Sequence, residues 1–345
     1  MWDAIAEGKP KALVLAGGGA RGAYQVGALE RLAESGFVPD VVAGTSIGAL
    51  NGSLVAQEPD FEYATSLLRH AWTSLEEVDV IQLDLKKLAT EFISTGSVPV
   101  TGLRKWLAAN LFQRLTSEER TWFDPAPIEA FINEHVNPGK LRNGKAFWVA
   151  VTPMFFEQDF PFRDVFESIR ASVTGDVDYV QPAQLDNDGE LLDALLASAA
   201  LPVVYPSRSV RDYRCLDGGI VDNVPLKALL DKKCGLAVVV HLSNGSVWSS
   251  SDIENPALED LTVLEIRPQS PVQPSETIAG WIQSLLDFSS EAIERLSTMG
   301  RRDTNRLIEQ VHQWADVTHG AHQAREELLS TTQELMDDPP IEIDD

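Results

Sequence analysis

Cysteine is nearly absent from this 345-residue chain, which has only Cys215 and Cys234. Two thiols cannot form a disulfide framework, and no C-x-x-C pair is present to hold a metal. Both are expected to be buried thiols rather than reactive ones. Basic residues are also scarce: 28 Lys and Arg stand against 52 Asp and Glu, a formal net charge of −24. A field of that sign repels nucleic acid and opposes permanent residence on anionic lipid. Long apolar runs are missing as well. The N-terminal run, Ala12 to Ala16, is too short for a signal h-region, and the stretch 191–206 is broken by Asp193 and Pro202. The expectation is a cytoplasmic protein, at most peripheral to a membrane. What is plentiful is apolar content, 44%, enough for one large α/β domain with appendages.

Residues 11–16 read as a short apolar strand and 21–35 as a helix with Tyr24, Ala28, Leu29 and Leu32 on one stripe. "PDVVAGTS" reads as a second strand and "IGALNGSLVAQ" as a second helix. This β-α-β-α opening predicts a parallel sheet with helices packed on it. Segment 60–135 reads as mostly helical, at 61–76, 101–115 and 126–136, and cap-like. Its Trp72, Phe92, Trp106, Phe112, Trp122 and Phe123 suit either a cover over a site or ordinary helix packing. "KAFWVAVTPM" is a third core strand, whereas 155–182 reads as irregular. The five phenylalanines in 154–166 suit a core hairpin, an acyl-chain wall or a loop that dips into a membrane. A helix at 189–200, a hairpin through "SRSVRDYRCLDGG", a helix at 224–233 and strands at "GLAVVVHLS" and "LTVLEIRP" follow. Residues 276–335 read as two or three amphipathic helices, with Ile278, Ile282, Leu285, Phe288, Ile293 and Leu296 lining one face. They suit a lid, a packing element or a surface for a protein partner. The division expected is a domain over 1–275, a helical extension over 276–335 and an acidic disordered tail over 336–345.

The chemistry begins at Gly17, Gly19 and Gly22, which spell G-x-G-x-x-G. A dinucleotide site needs an acidic residue at the end of the second strand. That strand ends instead in Gly44-Thr45-Ser46, and Asp40 lies at its other end. "GTSIG", Gly44 to Gly48 with Thr45 and Ile47 flanking Ser46, is a G-x-S-x-G between strand and helix. Such a nucleophile elbow projects a serine from a sharp turn. Adjacent parallel strands place Gly17–Gly19 beside Ser46, so the glycine loop suits an oxyanion hole, with the Gly18 and Gly19 amides as donors. Arg21 suits bracing of the loop, a lipid phosphate or a structural pairing with a carboxylate. For the proton acceptor, four of the six histidines lie on surface or peripheral helices, and His319-x-x-His322 lacks further metal ligands. Two candidates stand: His241, ending "VVVHLS", and Asp217 of "CLDGGIVDNVP", followed by Gly218 and Gly219, with Asp222 and Asn223 close by.

"GGGARGAYQVGAL", "GTSIGALNG", "LASAALPVVYP" and "DGGIVDNVP", in this order over roughly residues 11–245, resemble the patatin-like phospholipases. The resemblance implies a three-layer α/β/α fold with a mainly parallel sheet, and acyl-ester hydrolysis by a Ser–Asp dyad without a catalytic histidine, metal or cofactor. By motif, Ser46 is then the nucleophile, Asp217 the base, Gly17 to Gly22 the oxyanion hole, and Asn223 a structural residue. Ala16 stands where the family commonly has a polar residue. A phospholipid or other acyl ester is the implied substrate, as for a phospholipase A or lysophospholipase. A general carboxylesterase or thioesterase and a catalytically idle scaffold are the alternatives.

Overall fold

The computed structural model describes residues 1–77, 126–155, 163–201, 205–244, 258–273 and 284–337. An eight-stranded sheet runs through it in the order β5-β6-β3-β2-β1-β7-β8, with β4 also paired to β3. Strands β1 (Lys11–Leu15), β2 (Val41–Thr45), β3 (Ala146–Pro153), β7 (Leu236–Val240) and β8 (Thr262–Ile266) form the parallel part. Every residue of "VVAGT" and "LAVVV" is buried. Parallel strands are covered on both faces, so their sequences are continuously apolar rather than alternating. The hairpin of β5 (Arg208–Val210) and β6 (Tyr213–Asp217) and the short β4 (Asp178–Val180) add antiparallel pairs around β3. The sheet is therefore mixed, and the class is α/β as the opening pattern predicts.

Helices α1 (Trp2–Ile5), α2 (Ala23–Glu34), α3 (Ile47–Ala56), α4 (Phe61–Glu77), α5 (Ala126–His135), α6 (Pro138–Asn143), α7 (Arg163–Thr174), α8 (Asp188–Ser198) and α9 (Ser290–Asp337) accompany the sheet, together with short 3-10 turns. α3, buried along its whole length, packs on β1, β2 and β3. α2 is buried nearly all round its first two turns because α9 covers it from outside. That packing is backbone against backbone. A Cβ on Gly27 would fall 1.8 Å from the Ser297 carbonyl oxygen, and one on Gly300 would fall 1.9 Å from that of Tyr24. Arg69 on α4 ties the group together. It binds both Glu30 carboxylate oxygens, at 2.8 and 2.7 Å, and the Ser297 hydroxyl at 3.0 Å.

Several elements differ from the sequence reading. The segment read as irregular contains α7 and β4. Its crowded phenylalanines masked the Val165–Ile169 helical spacing. In place of a helix at 224–233 there is one 3-10 turn, Leu226–Leu229. Pro225 lacks an amide donor, and Asp231 and Lys233 take positive φ of 65° and 52°, which ends any helix. The C-terminal helices after residue 289 are one uninterrupted 48-residue helix, α9. It contains no proline, and Gly300 is tolerated because the α2 backbone sits against it. Leu285 precedes a break at 287–289 and Phe288 lies within it, so neither shares a helix with Ile293 and Leu296. Trp72 is a fully buried core residue rather than a cover. Phe92, Trp106, Phe112, Trp122 and Phe123, the 101–115 helix, Ile278, Ile282 and the tail beyond Asp337 lie outside the described residues. Of the 154–166 stretch, Met154 is buried and Phe155 exposed. Cys215 and Cys234 are both buried, and burial pushes their thiols up to about 12 and about 11. Among the described residues no helix is long and apolar enough to cross a membrane.

The α2–α9 contact leaves no room for a methyl group. Gly27→Ala should destabilise the fold by about 3 kcal/mol, the upper range for overpacking, read as a lower urea midpoint. Unchanged stability would mean that the two backbones do not touch.

Candidate active site

Strand register assembles the site. Leu15 of β1 lies opposite Gly44 of β2, so Gly17 and Ser46 leave the sheet side by side. Thr45 of β2 is opposite Ala150 of β3, and Val151 of β3 is opposite Asp217 of β6. Ser46 and Asp217 therefore start two strand spacings apart, about 10 Å, at one end of the sheet, close enough for the Ser46 side chain to act on the Asp217 carboxyl. Asp217 caps a 3-10 turn, Gly218–Ile220, accepting the Gly219 amide on Oδ1 at 2.7 Å. A Cβ on Gly218 would sit 2.3 Å from the Ala150 carbonyl, so the chain folds flat across β3. Beyond it, the Thr45 hydroxyl donates to the Asp222 carbonyl at 3.1 Å.

Ser46 adopts φ 55° and ψ −127°, a left-handed conformation for a residue with a Cβ. Such a conformation costs on the order of 1–3 kcal/mol and persists only where surroundings enforce it. The enforcement is visible. The Ser46 amide donates to Ser198 Oγ at 2.9 Å, and that hydroxyl donates to the Ala150 carbonyl at 2.7 Å. Its carbonyl accepts the Ala49 amide at 2.8 Å, starting α3 behind Ile47. The flanking glycines are steric necessities: a Cβ on Gly44 would be 2.4 Å from the Gly48 carbonyl, and one on Gly48 would be 2.3 Å from the Leu15 carbonyl. Likewise, a Cβ on Gly22 would meet Ile47 at 2.5 Å.

The glycine loop is held peptide by peptide. Gly17 donates its amide to the Asn223 carbonyl at 3.1 Å and accepts the Asn223 side-chain amide on its own carbonyl at 3.2 Å. The Gly18 carbonyl accepts the Arg21 amide at 3.3 Å. In a trans peptide the carbonyl and the next N–H point opposite ways. Fixing the Gly17 and Gly18 carbonyls thus aims the Gly18 and Gly19 amides, neither of which has an acceptor among the described residues. Gly17's amide is committed and is not a donor for substrate. Arg21 is buried at the loop's end, its Nη1 3.5 Å from the Leu242 carbonyl, and burial brings its guanidinium down to about 10. It braces the loop.

Asp217 is 1% exposed. Burial pushes its carboxyl up from 3.8 to about 7, with the Gly219 amide and the Ser46 side chain pulling it partly back. Its second oxygen, Oδ2, is buried without a hydrogen-bond partner among the described residues. His241 is placed differently. Its Nε2 lies 2.7 Å from Glu265 on β8, which is also paired with Arg267. β1 and β7 separate β2 from β8, so this imidazole is directed away from Ser46. Asp222 is engaged elsewhere, accepting from the Tyr179 hydroxyl and, at 3.1 Å, from the Val224 amide. The side chains of His319 and His322 lie outside the described residues.

A model of the patatin-like phospholipases matches residues 13–230, from β1 through the turn beyond Asp217. The chain belongs to the patatin-like phospholipase family. Over 57 residues it is 54% identical to patatin-like phospholipase domain-containing protein 7 of Rattus norvegicus, covering 16% of this chain and 4% of that protein. Over 239 residues, 69% of this chain, it is 24% identical to lysophospholipase NTE1 of Kluyveromyces lactis, of which it covers 13%. The chain thus spans a small fraction of these relatives' length. Among solved structures, VipD from Legionella pneumophila aligns with a TM-score of 0.40 and 15% identity, over 88% of this chain and 67% of that one.

Sequence reasoning assigned no role to Ser198, Gln25 or Asn51. Ser198 sits within "LASAALP", and Gln25 and Asn51 are polar residues within otherwise apolar helix faces. That mismatch was the available signal.

The raised Asp217 carboxyl has a consequence for stability. Between about pH 4 and 7 the unfolded carboxylate is ionised while the folded one holds its proton. Stability from this group is thus full below the unfolded value and lost as pH rises to about 7. Asp217→Asn should therefore gain stability over wild type as pH rises from 4 to 8, by up to about 4 kcal/mol, measured by urea unfolding across pH. A variant equally or less stable at pH 8 would contradict the buried, destabilised carboxylate.

Proposed function

We propose that this patatin-family chain is a serine lipid acyl hydrolase of phospholipase A or lysophospholipase type, acting through Ser46 and Asp217. The observation that carries the reading is a strained, buried serine beside a carboxyl whose burial sets it near neutrality. An ordinary carboxylate, near 3.9, is a poor base for a hydroxyl, and desolvation supplies the missing basicity.

In this reading Ser46 Oγ attacks the ester carbonyl as its proton passes to Asp217. The carbonyl π electrons move to oxygen, and the tetrahedral oxyanion accepts the Gly18 and Gly19 amides. Collapse breaks the ester C–O bond, and Asp217 returns the proton to the leaving alcohol. Water then adds to the acyl-serine, giving its proton to Asp217. Collapse of the second intermediate releases the fatty acid and re-protonates Ser46. One donor of this kind contributes about 10²–10³ in rate. The amides are pre-aimed by Asn223 and Arg21, so no reorganisation is needed when charge develops. Asp217 must start ionised, which ties turnover to its titration. Lipid as substrate follows from family membership, and transient contact with a lipid surface follows from that substrate.

Fluorophosphonate labelling should mark Ser46. Ser46→Ala and Asp217→Asn should each lower turnover by at least about 10³-fold, while His241→Gln keeps most of it. A His241 variant as damaged as the Asp217 variant, with its fold intact, would replace the dyad with a triad. The pH profile should show kcat/KM rising through about pH 7 to a plateau. A profile flat from pH 5 to 8 would remove Asp217 as the base. Phospholipid vesicles compared with a chain-length series of soluble esters and thioesters separate a lipase from a general esterase or thioesterase.

A further inference from the structure

Behind the glycine loop lies a chain of three buried side chains. The Trp72 indole Nε1 donates to Asn51 Oδ1 at 2.9 Å. Asn51 Nδ2 donates to Gln25 Oε1 at 2.8 Å and to the Gly22 carbonyl at 3.2 Å. Gln25 Nε2 donates to the Ala16 carbonyl at 2.8 Å. All three residues are fully buried. Ala16 and Gly22 are the two ends of the loop, so one chain of amides pins both.

The direction of this chain follows from one group. An indole N–H can only donate. It therefore turns Asn51 Oδ1 toward itself, which leaves Nδ2 for Gly22 and Gln25, and Gln25 Nε2 for Ala16. The Ala16 carbonyl belongs to the peptide whose N–H, on Gly17, donates to the Asn223 carbonyl. That peptide is held at both ends, by Gln25 on one side and Asn223 on the other. Asn51 rides on α3, the helix that Ser46 begins, so the same chain sets the loop's position relative to the nucleophile. Trp72 is in turn stacked on Phe288, with ring centroids 5.8 Å apart and planes at 24°. A Cβ on Gly19 would lie 2.3 Å from the Leu285 carbonyl. The loop thus also leans on residues beyond the 13–230 family match.

The geometry points to Gln25, Asn51 and Trp72 as positioning residues that hold the Gly18 and Gly19 amides in register with Ser46. The inference rests on the reaction proposed above. Loss of a hydrogen bond in this chain lets the loop shift without touching substrate. A misplacement of 1 Å at a reacting centre costs about 10²-fold in rate, and the loss appears in the step that develops the oxyanion.

The test uses the full chain and a soluble p-nitrophenyl acyl ester, with kcat, KM, Tm and the rate constant for fluorophosphonate labelling of Ser46. Gln25→Met keeps volume and removes both the donor to Ala16 and the acceptor of Asn51, whereas Trp72→Phe removes the indole donor alone and leaves a smaller ring. Ser53→Ala is the control. Ser53 is equally buried on α3, but among the described residues its hydroxyl bonds only the Leu50 carbonyl, at 2.7 Å. The expected result is a fall in kcat of about 10- to 100-fold in Gln25→Met and a smaller fall in Trp72→Phe. Labelling should slow in parallel and KM should stay within about twofold, while Ser53→Ala keeps wild-type kcat at comparable Tm loss. Folded variants with wild-type kcat overturn the inference. So does a loss carried by KM, or one that Ser53→Ala reproduces at equal Tm. A wild-type chain without Ser46-dependent hydrolysis is a separate outcome: it refutes the proposed reaction, and the positioning role falls with it.

Discussion

Removal of water from one carboxyl group governs the candidate site. Asp217 ends β6 beside β3, and the described residues offer it one backbone amide and the Ser46 side chain. A carboxylate left in that position is costly, and in the proposed reaction that cost is what suits it to accept a proton near neutrality. The rest of the site is arranged around this. The hairpin of β5 and β6 delivers Asp217 to the end of the sheet where β1 and β2 release the glycine loop and Ser46. The histidine that would otherwise serve, His241, is directed toward Glu265 on the far side of β1 and β7.

The unfavourable features are concentrated in a few residues. Ser46 has a strained backbone, and among the described residues Asp217 Oδ2 has no hydrogen-bond partner and the Gly18 and Gly19 amides have no acceptor. A protein tolerates such a cluster only if neighbouring structure is firm. Here the firmness comes from β1, β2 and β7, buried on both faces, and from the backbone-tight packing of α2 on α9. Ser198 and Asn223 transmit it directly: one fixes the Ser46 amide, the other the Gly17 peptide. Stability and the proposed activity are therefore expected to be opposed at Asp217, with the amide variant the more stable chain and the idle one.

Much of this was legible in the sequence because it is local. G-x-S-x-G between an apolar strand and a helix, glycines after the preceding strand, and Asp-Gly-Gly at a hairpin's end each carry their chemistry within five or six residues. Longer-range features were not. The Trp72–Asn51–Gln25 chain joins residues 21 and 26 positions apart, and its direction depends on which atoms meet in the core. Ser198 reaches Ser46 across 152 positions. Helix α7 was hidden because aromatic composition outweighed its period. The 3-10 turn at Leu226–Leu229 replaced a helix because Pro225 and two left-handed residues overruled an apolar run. The single long α9 was read as several helices because a glycine such as Gly300 looks like a break until a neighbouring backbone is known to occupy the space.

The central claim concerns the ionisation of one side chain, and it can be measured at that side chain. Carbon-13 NMR of protein labelled at aspartate carboxyls, with Asp217→Asn used to assign the resonance, follows the group through pH directly. The account predicts a midpoint near 7 for Asp217. A midpoint in the ordinary carboxylate range, near 4, would show that Asp217 is not desolvated and would end its assignment as the base for Ser46.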